Sequence, residues 1–400
     1  MTVYLHRPGL VSALGSGAAS FTAACAPEIP RLQYEEGWLR GRRIAVGRYH
    51  GDGLSPPPLP PDYRSHNNTL LWQALAQIED TIHAALARYG AERVAVILGT
   101  STSGGDDNRS ALQACLDGAP LATTGFSVPR QLMSAPADFT AAVFGTRGLC
   151  YGISTACTSG ARALISAARL LRSGAADAVI CGGVDTLSLL TLHGFAALEV
   201  LSSGIARPFS AARDGINMGE AAAVFVATRE ALHDDALCLL GYGASSDAWH
   251  MSSPRPDGAG AIAAMQVALT QAAVAPQAVG WLNLHGTGTP QNDQMEALAV
   301  AAVLPHAACT STKPLTGHTL AAAGALEAAL CWLAVSRQDN PDGRLPPMAV
   351  TDYDPALAPI HLTDTAAHWP DGRRIAMSTS FAFGGSNAAL IIGEADANAA

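Results

Sequence analysis

The stretch Ala321-Ala322-Ala323-Gly324-Ala325-Leu326-Glu327-Ala328-Ala329-Leu330-Cys331-Trp332-Leu333-Ala334-Val335-Ser336 carries a single charge, Glu327, and is otherwise apolar on every side. A helix with no polar face has nothing to offer water and must be buried on more than one side. Gly160 to Arg172 reads similarly. A helix pressed between two sheets implies more layers than a simple doubly wound domain has. Outward from this pair, β-branched runs recur at 44–46, 94–98, 178–181, 222–227, 375–377 and 389–392. Helical stretches at 68–88, 260–273 and 294–303 alternate with them. That alternation predicts an α/β protein with largely buried parallel strands. A halfway break is expected near 239–246, where a Gly-punctuated strand follows a helix. The Pro-rich stretch Leu54 to Tyr63 reads as an extended surface excursion, and the tail from Glu394 to Ala400 as frayed.

Composition narrows the function. The 400 residues carry a net charge of −9, which argues against nucleic acid and against an anionic membrane as partners. No apolar run has the length of a membrane span, and Met1 to Leu10 has no secretory pattern. Eight cysteines are scattered without CxxC spacing, so reduced thiols in the cytoplasm and no metal site are expected. Among the 24 lysines and arginines, only Lys313 is a lysine. Lysine is a compact point charge whose pKa moves on burial, whereas arginine is a broad fork that stays charged. One site therefore requires what arginine cannot supply, unless Lys313 is a stray surface residue.

Three segments carry chemistry. In Gly152-Ile153-Ser154-Thr155-Ala156-Cys157-Thr158-Ser159-Gly160, a cysteine sits where a strand turns into a helix. Amides at a helix N-terminus favour a thiolate and can hold an oxyanion. The plainer alternative is an inert packing thiol, like Cys150. In Asn283-Leu284-His285-Gly286-Thr287-Gly288-Thr289-Pro290-Gln291-Asn292-Asp293, an imidazole lies beside backbone that a ligand can approach. That segment could instead be a turn with Asp293 capping a helix that begins at Gln294. The third segment, Lys313 to Thr319, leads toward the helix with Glu327. One thiol, two histidines (His285, His318), one lysine and no metal spacing suggest covalent acyl chemistry on cysteine.

Five stretches in order then resemble the elongating β-ketoacyl-acyl-carrier-protein synthases of the thiolase superfamily. They are Thr155–Gly160, Ala206–Phe209 with Arg213–Gly215, His285–Asp293, Lys313–His318, and Phe381-Ala382-Phe383-Gly384-Gly385-Ser386-Asn387. The resemblance implies a thiolase-like five-layered αβαβα fold built from two similar halves, residues 1–240 and 241–400. It implies Cys157 as the acylated nucleophile, with His285 and His318 supporting decarboxylation and the enolate. Lys313 would order the site around His318. Thr287 and Thr289 would contact the phosphopantetheine arm, Phe383 would gate the site, and Asp293, Glu296 and Glu327 would brace it. No cofactor is implied beyond the carrier's own arm. The partners implied are acyl carrier protein and a second chain, as homodimer or as heterodimer with a related subunit. Arg64, Arg130 and Arg207 are candidate carrier-docking residues.

Departures from the family pattern are Ala382 where glycine is common, Pro314 for serine, Ala321 for glycine and Ser210 for aspartate. They fit a specialised synthase such as those of aryl-polyene pathways. Two alternatives stay open. One is a non-catalytic partner subunit, which usually lacks the nucleophile. The other is an initiating type-III or thiolase-like enzyme, which lacks the second histidine that His318 supplies here.

Overall fold

A computed structural model describes residues 1–26, 29–51, 53–348 and 352–395. The chain runs β1 (Tyr4–Leu5), α1 (His66–Leu75), α2 (Glu79–Tyr89), β2 (Val94–Gly99), α3 (Ala135–Phe144), β3 (Cys150–Ile153), α4 (Ser159–Ser173), β4 (Ala178–Asp185), α5 (Leu189–Ala197) and β5 (Ala221–Thr228). It continues through β6 (Leu237–Ser246), α6 (Ala259–Ala272), β7 (Trp281–Asn283), α7 (Pro290–Val303), β8 (Ala308–Thr310), α8 (Ala323–Val335), β9 (Ile375–Phe381) and β10 (Ser386–Gly393).

One strand pattern occurs twice. β2 lies between β3 and β4, parallel to both, and β5 runs antiparallel to β4. Likewise β7 lies between β8 and β9, parallel to both, and β10 runs antiparallel to β9. β6 joins β10, and the short β1 pairs with both β5 and β6, joining the two sets edge to edge. Between the sets lie α4 and α8, packed on each other; α8 touches β5 on one side and β9 and β10 on the other. α1 and α3 cover the outer face of the first set, and α6, with α7 packed against it, the outer face of the second. The result is the five-layered αβαβα arrangement that the family resemblance implied, with the extra layers that the apolar helices called for.

All thirteen residues of α8 are buried, Glu327 included. The three arginines of α4 keep one edge of that helix nearer the surface, so it is less enclosed than the sequence reading had it. Close packing of the central pair depends on glycine. A Cβ on Gly160 would stand 2.8 Å from the Ala321 carbonyl oxygen, and one on Gly324 would stand 2.8 Å from the Ala161 Cβ. Gly160→Val is expected to cost about 3 kcal/mol or more, the upper range for overpacking, read as a lower midpoint in urea unfolding.

Several expectations need correction. The helix expected over 68–88 is two, broken by a tighter turn at 76–78. The second-half helix begins at Pro290, so Asp293 is inside its first turn and does not cap it. β6 follows a turn region after β5, with no helix between them. Glu394 is anchored: it accepts from the Arg374 amide at 3.0 Å, and only residues 396–400 of the expected frayed tail lie outside the described residues.

Candidate active site

Cys157 stands on a sharp turn between β3 and α4. Ala156 adopts φ 49°, a left-handed conformation that residues with a Cβ rarely take. Ser159 staples this turn: its hydroxyl accepts from the Thr155 amide at 2.9 Å and donates to the Ala156 carbonyl at 2.6 Å. The backbone amides of Cys157 and Phe383 both point at the sulfur. Burial nonetheless pushes the thiol up to about 12, outweighing the Lys313 charge and those amides. The sequence expectation that helix amides would favour a thiolate is thus overridden by desolvation. At neutral pH the thiol keeps its proton, and His318 Nε2, 2.9 Å from Sγ, is positioned to take it.

His318 is delivered by Gly317 at φ 66°, and its backbone is fixed on both sides. Its amide donates to the Asn217 carbonyl at 2.7 Å, and its carbonyl accepts from Gly219 at 3.0 Å. His285 follows β7. The amides of His285 and Gly286 each donate to Glu296 at 2.7 Å, one to each carboxyl oxygen. Asp293 does the same for the next turns, accepting from Phe209 at 2.8 Å and Gly288 at 3.2 Å. Burial raises Glu296 to about 7 and Asp293 to about 6, against those amide bonds. The two acids hold the loop that presents His285. The imidazoles of His285 and His318 meet edge to face, centroids 5.2 Å apart.

Lys313 lies where the sequence placed it in the chain but not where it placed it in space. Its Nζ forms an ion pair with Glu327 and lies 3.4 Å from His285 Nδ1, so it orders His285 rather than His318. Only 2% of its side chain is exposed. An ammonium has donors and no acceptor, so Nδ1 of His285 must accept. That contact fixes the neutral tautomer with its proton on Nε2. Burial first, then the Lys313 charge, hold both imidazoles well below the usual 6.5; His318 adds to this for His285. Two neutral imidazoles therefore face the sulfur, His285 with Nε2–H and His318 with an Nε2 that accepts from the thiol. Burial raises the Glu327 carboxyl to about 7, with Lys313 pulling the other way.

Cys157, His285 and His318 line a cavity of about 620 Å³, counting its open mouth, whereas Lys313 and the three acids lie behind its lining. Thr287 and Thr289 are on its wall, with hydroxyls 2.8 Å apart. Phe383 stacks on Phe195, centroids 5.5 Å apart, partly across the cavity. Arg64 and Arg207 are exposed, whereas Arg130 is half-buried and donates to the Pro61 carbonyl at 3.0 Å. Sequence reasoning missed Phe195, which sits in an unremarkable apolar helix, and Asp185. The Asp185 carboxyl is wholly buried; it accepts from Thr100 and from the Ala321 amide, both at 2.8 Å, and so ties the start of the α8 region to β4. Sγ of Cys157 and one nitrogen of each histidine lie within 4.8 Å of one another, a set whose chemistry would suit zinc. Among the described residues nothing supplies a fourth ligand, because the nearby carboxyls are held by amides and by Lys313.

Comparison with known proteins then gives the decisive observation. Residues 69–233 match the N-terminal domain of β-ketoacyl synthases and residues 237–344 their C-terminal domain. The chain belongs to the β-ketoacyl synthase family. This synthase is 33% identical over 319 residues to 3-oxoacyl-[acyl-carrier-protein] synthase 2 of Vibrio cholerae, covering 75% of this chain and 76% of the relative. In structure it is similar to a chain of the complex of ketosynthase ApeO with chain length factor ApeC from Xenorhabdus doucetiae. There the TM-score is 0.89 at 39% identity, over 98% of each chain. A β-ketoacyl synthase from Burkholderia phymatum gives 0.85 at 26% identity, covering 99% of this chain and 100% of that one. Among the described residues of this synthase, no helix is long and apolar enough to cross a membrane.

Proposed function

We propose that this protein catalyses decarboxylative condensation of malonyl-carrier protein with an acyl group held on Cys157. The observation that carries the reading is the meeting of one buried thiol with two buried imidazoles, 2.9 Å from sulfur to the nearer ring. Cys157 attacks the incoming thioester while His318 accepts the thiol proton and passes it to the departing carrier thiol. The carbonyl oxygen sits on the amides of Cys157 and Phe383. Malonyl-carrier protein then enters, its arm along Thr287 and Thr289, and loses carbon dioxide. Nε2–H of His285 holds the enolate oxygen, and His318 adds a second donor in the tautomer that carries its proton on Nε2 instead of Nδ1. The enolate carbon attacks the Cys157 thioester and expels the sulfur, leaving a chain two carbons longer. Glu327, Glu296 and Asp293 act through Lys313 and the His285 loop and do not touch substrate.

The four groups of the active site are all present, so this chain is the catalytic member of any pair it forms. A related non-catalytic subunit is a reasonable partner, since the Xenorhabdus doucetiae relative is described in complex with a chain length factor. Among the described residues β3 pairs only with β2 and ends its sheet, leaving the strand that leads into Cys157 open to a twofold partner. The repeated strand pattern supports two halves, but the boundary between 240 and 241 falls inside β6, which belongs with the second half from Leu237 on. The cytoplasm is the site of such carrier-bound synthesis, and the departures at Ala382, Pro314, Ala321 and Ser210 favour a specialised pathway of the aryl-polyene kind.

Incubation with a panel of acyl-carrier proteins and malonyl-carrier protein, read by intact mass, tests the reaction. Some pair is expected to yield carrier product heavier than its acyl donor by C2H2O. Acetyl-carrier protein without extended product from every donor would overturn condensation.

A further inference from the structure

The hairpin at residues 33–47 has no part in the chemistry above, yet it holds an unusual concentration of uncompensated charge. Its strands Gln33–Leu39 and Arg42–Gly47 are joined at Arg40-Gly41-Arg42-Arg43, and all three of these arginines are exposed. Elsewhere nine of the twenty other arginines find carboxylates: Arg7, Arg48, Arg88, Arg93, Arg147, Arg213, Arg229, Arg255 and Arg337 each form an ion pair. Among the described residues Arg40, Arg42 and Arg43 form none. Arg43 instead lies over the half-exposed Tyr34 ring, 5.0 Å from its centroid, and Arg48 takes up Glu35. Glu36 is the one acidic side chain left on the hairpin. In a chain of net charge −9, three adjacent free guanidinium groups form a local positive field of the wrong sign for the rest of the surface.

The position of this field is specific. On its inner face the hairpin packs Leu39, Ile44 and Val46 against Leu192 and Phe195 of α5. Phe195 lines the cavity, as do Val200 and Ile216 just beyond it. His193 bonds the Trp38 carbonyl at 2.9 Å, and Val46 and Gly47 run parallel to Met218 and Gly219, whose neighbour across a bridge is His318. The hairpin is therefore built against the active-site wall: Trp38 and Leu39, next to the charged tip, lie against α5, whose Phe195 lines the cavity.

We propose that the tip Arg40–Arg43 is a docking surface for an acidic carrier protein, holding it beside the mouth while its arm reaches Cys157. The inference rests on the ketosynthase reading and adds a surface to it, distinct from Arg64, Arg130 and Arg207. Rim charges of this kind act on encounter rate and salt dependence and leave the chemical step alone. The substitution set Arg40→Glu/Arg42→Glu/Arg43→Glu is to be compared with wild type on two probes, malonyl-carrier protein and malonyl-pantetheine. Binding of the carrier is read in parallel by fluorescence anisotropy at several salt concentrations. The expected result is at least about a tenfold rise in KM and Kd for the carrier, with a shallower salt slope and unchanged turnover of malonyl-pantetheine. Milder Arg→Gln replacements should give the same pattern at smaller amplitude. Unchanged carrier affinity overturns the proposal. So does equal loss on both probes, which would make the hairpin a support of the active site. Retained carrier affinity with lost binding to phosphatidylglycerol vesicles would reassign the tip to a membrane. A wild-type protein that binds carrier through the tip but condenses nothing would defeat the ketosynthase reading and leave the docking surface standing.

Discussion

Alanine in place of Cys157 is expected to abolish acyl-enzyme formation and lower condensation by at least about 10⁴-fold, the scale on which removing a covalent nucleophile acts. The loss has no local rescue. Cys150, the nearest alternative in sequence, is outside the cavity lining; its sulfur donates to Asp138 at 3.8 Å, and its thiol is pushed up to about 11 by burial, then by that carboxylate. Folding should survive, because alanine fits the turn and removes a buried group whose side-chain hydrogen bond is to His318. Decarboxylation of malonyl-carrier protein should persist in part, since both imidazoles and Lys313 remain. The variant would then release acetyl-carrier protein, its enolate having no thioester to attack. Intact mass distinguishes the cases. An acyl adduct on the alanine variant, formed from substrate, would show that the nucleophile lies elsewhere.

How far the sequence could be read depended on whether a feature was local. The apolar run at 321–336 required burial on both sides, and α8 between two strand sets satisfies it. Cys157 was legible because a strand, a small-residue turn and a helix follow one another in eleven residues. Lys313 was singled out by composition, but its partner was misassigned. The family resemblance suggested His318, five residues on. In the fold, Gly317 turns His318 toward Cys157 while the lysine side chain runs to Glu327 and His285, contacts that span 14 and 28 residues. The same limit hid Asp185, whose partners at Thr100 and Ala321 are 85 and 136 residues away. It also hid the thiol's true state, because desolvation of Cys157 is a property of the assembled cavity and no spacing encodes it.

Lys313→Arg and Lys313→Ala are expected to damage the enzyme in different ways. Nζ reaches Glu327 and His285 Nδ1 together from a buried site, and this needs one compact donor. A guanidinium is too broad to keep both contacts, so His285 would lose the partner that fixes its proton on Nε2. Decarboxylation of malonyl-carrier protein should fall by about 10²-fold in both variants, the scale of losing one oriented donor to a developing oxyanion. Acylation should separate them. The lysine charge is the largest influence lowering the Cys157 thiol, and arginine retains a charge that alanine removes. Arginine should therefore acylate far better than alanine. The pH profile adds a sign. Lys313 depresses both imidazoles, so Lys313→Ala lets their pKa values rise, and the acid limb of decarboxylation should move to higher pH. It should stay below the usual 6.5, because burial is the larger cause and remains. Alanine also leaves Glu327 buried without its cation, favouring the protonated carboxyl, and Glu327→Gln added to Lys313→Ala should recover stability but not decarboxylation. A Lys313→Arg enzyme that decarboxylates at the wild-type rate would remove the argument from compact geometry, and a fixed acid limb in Lys313→Ala would remove the argument from charge.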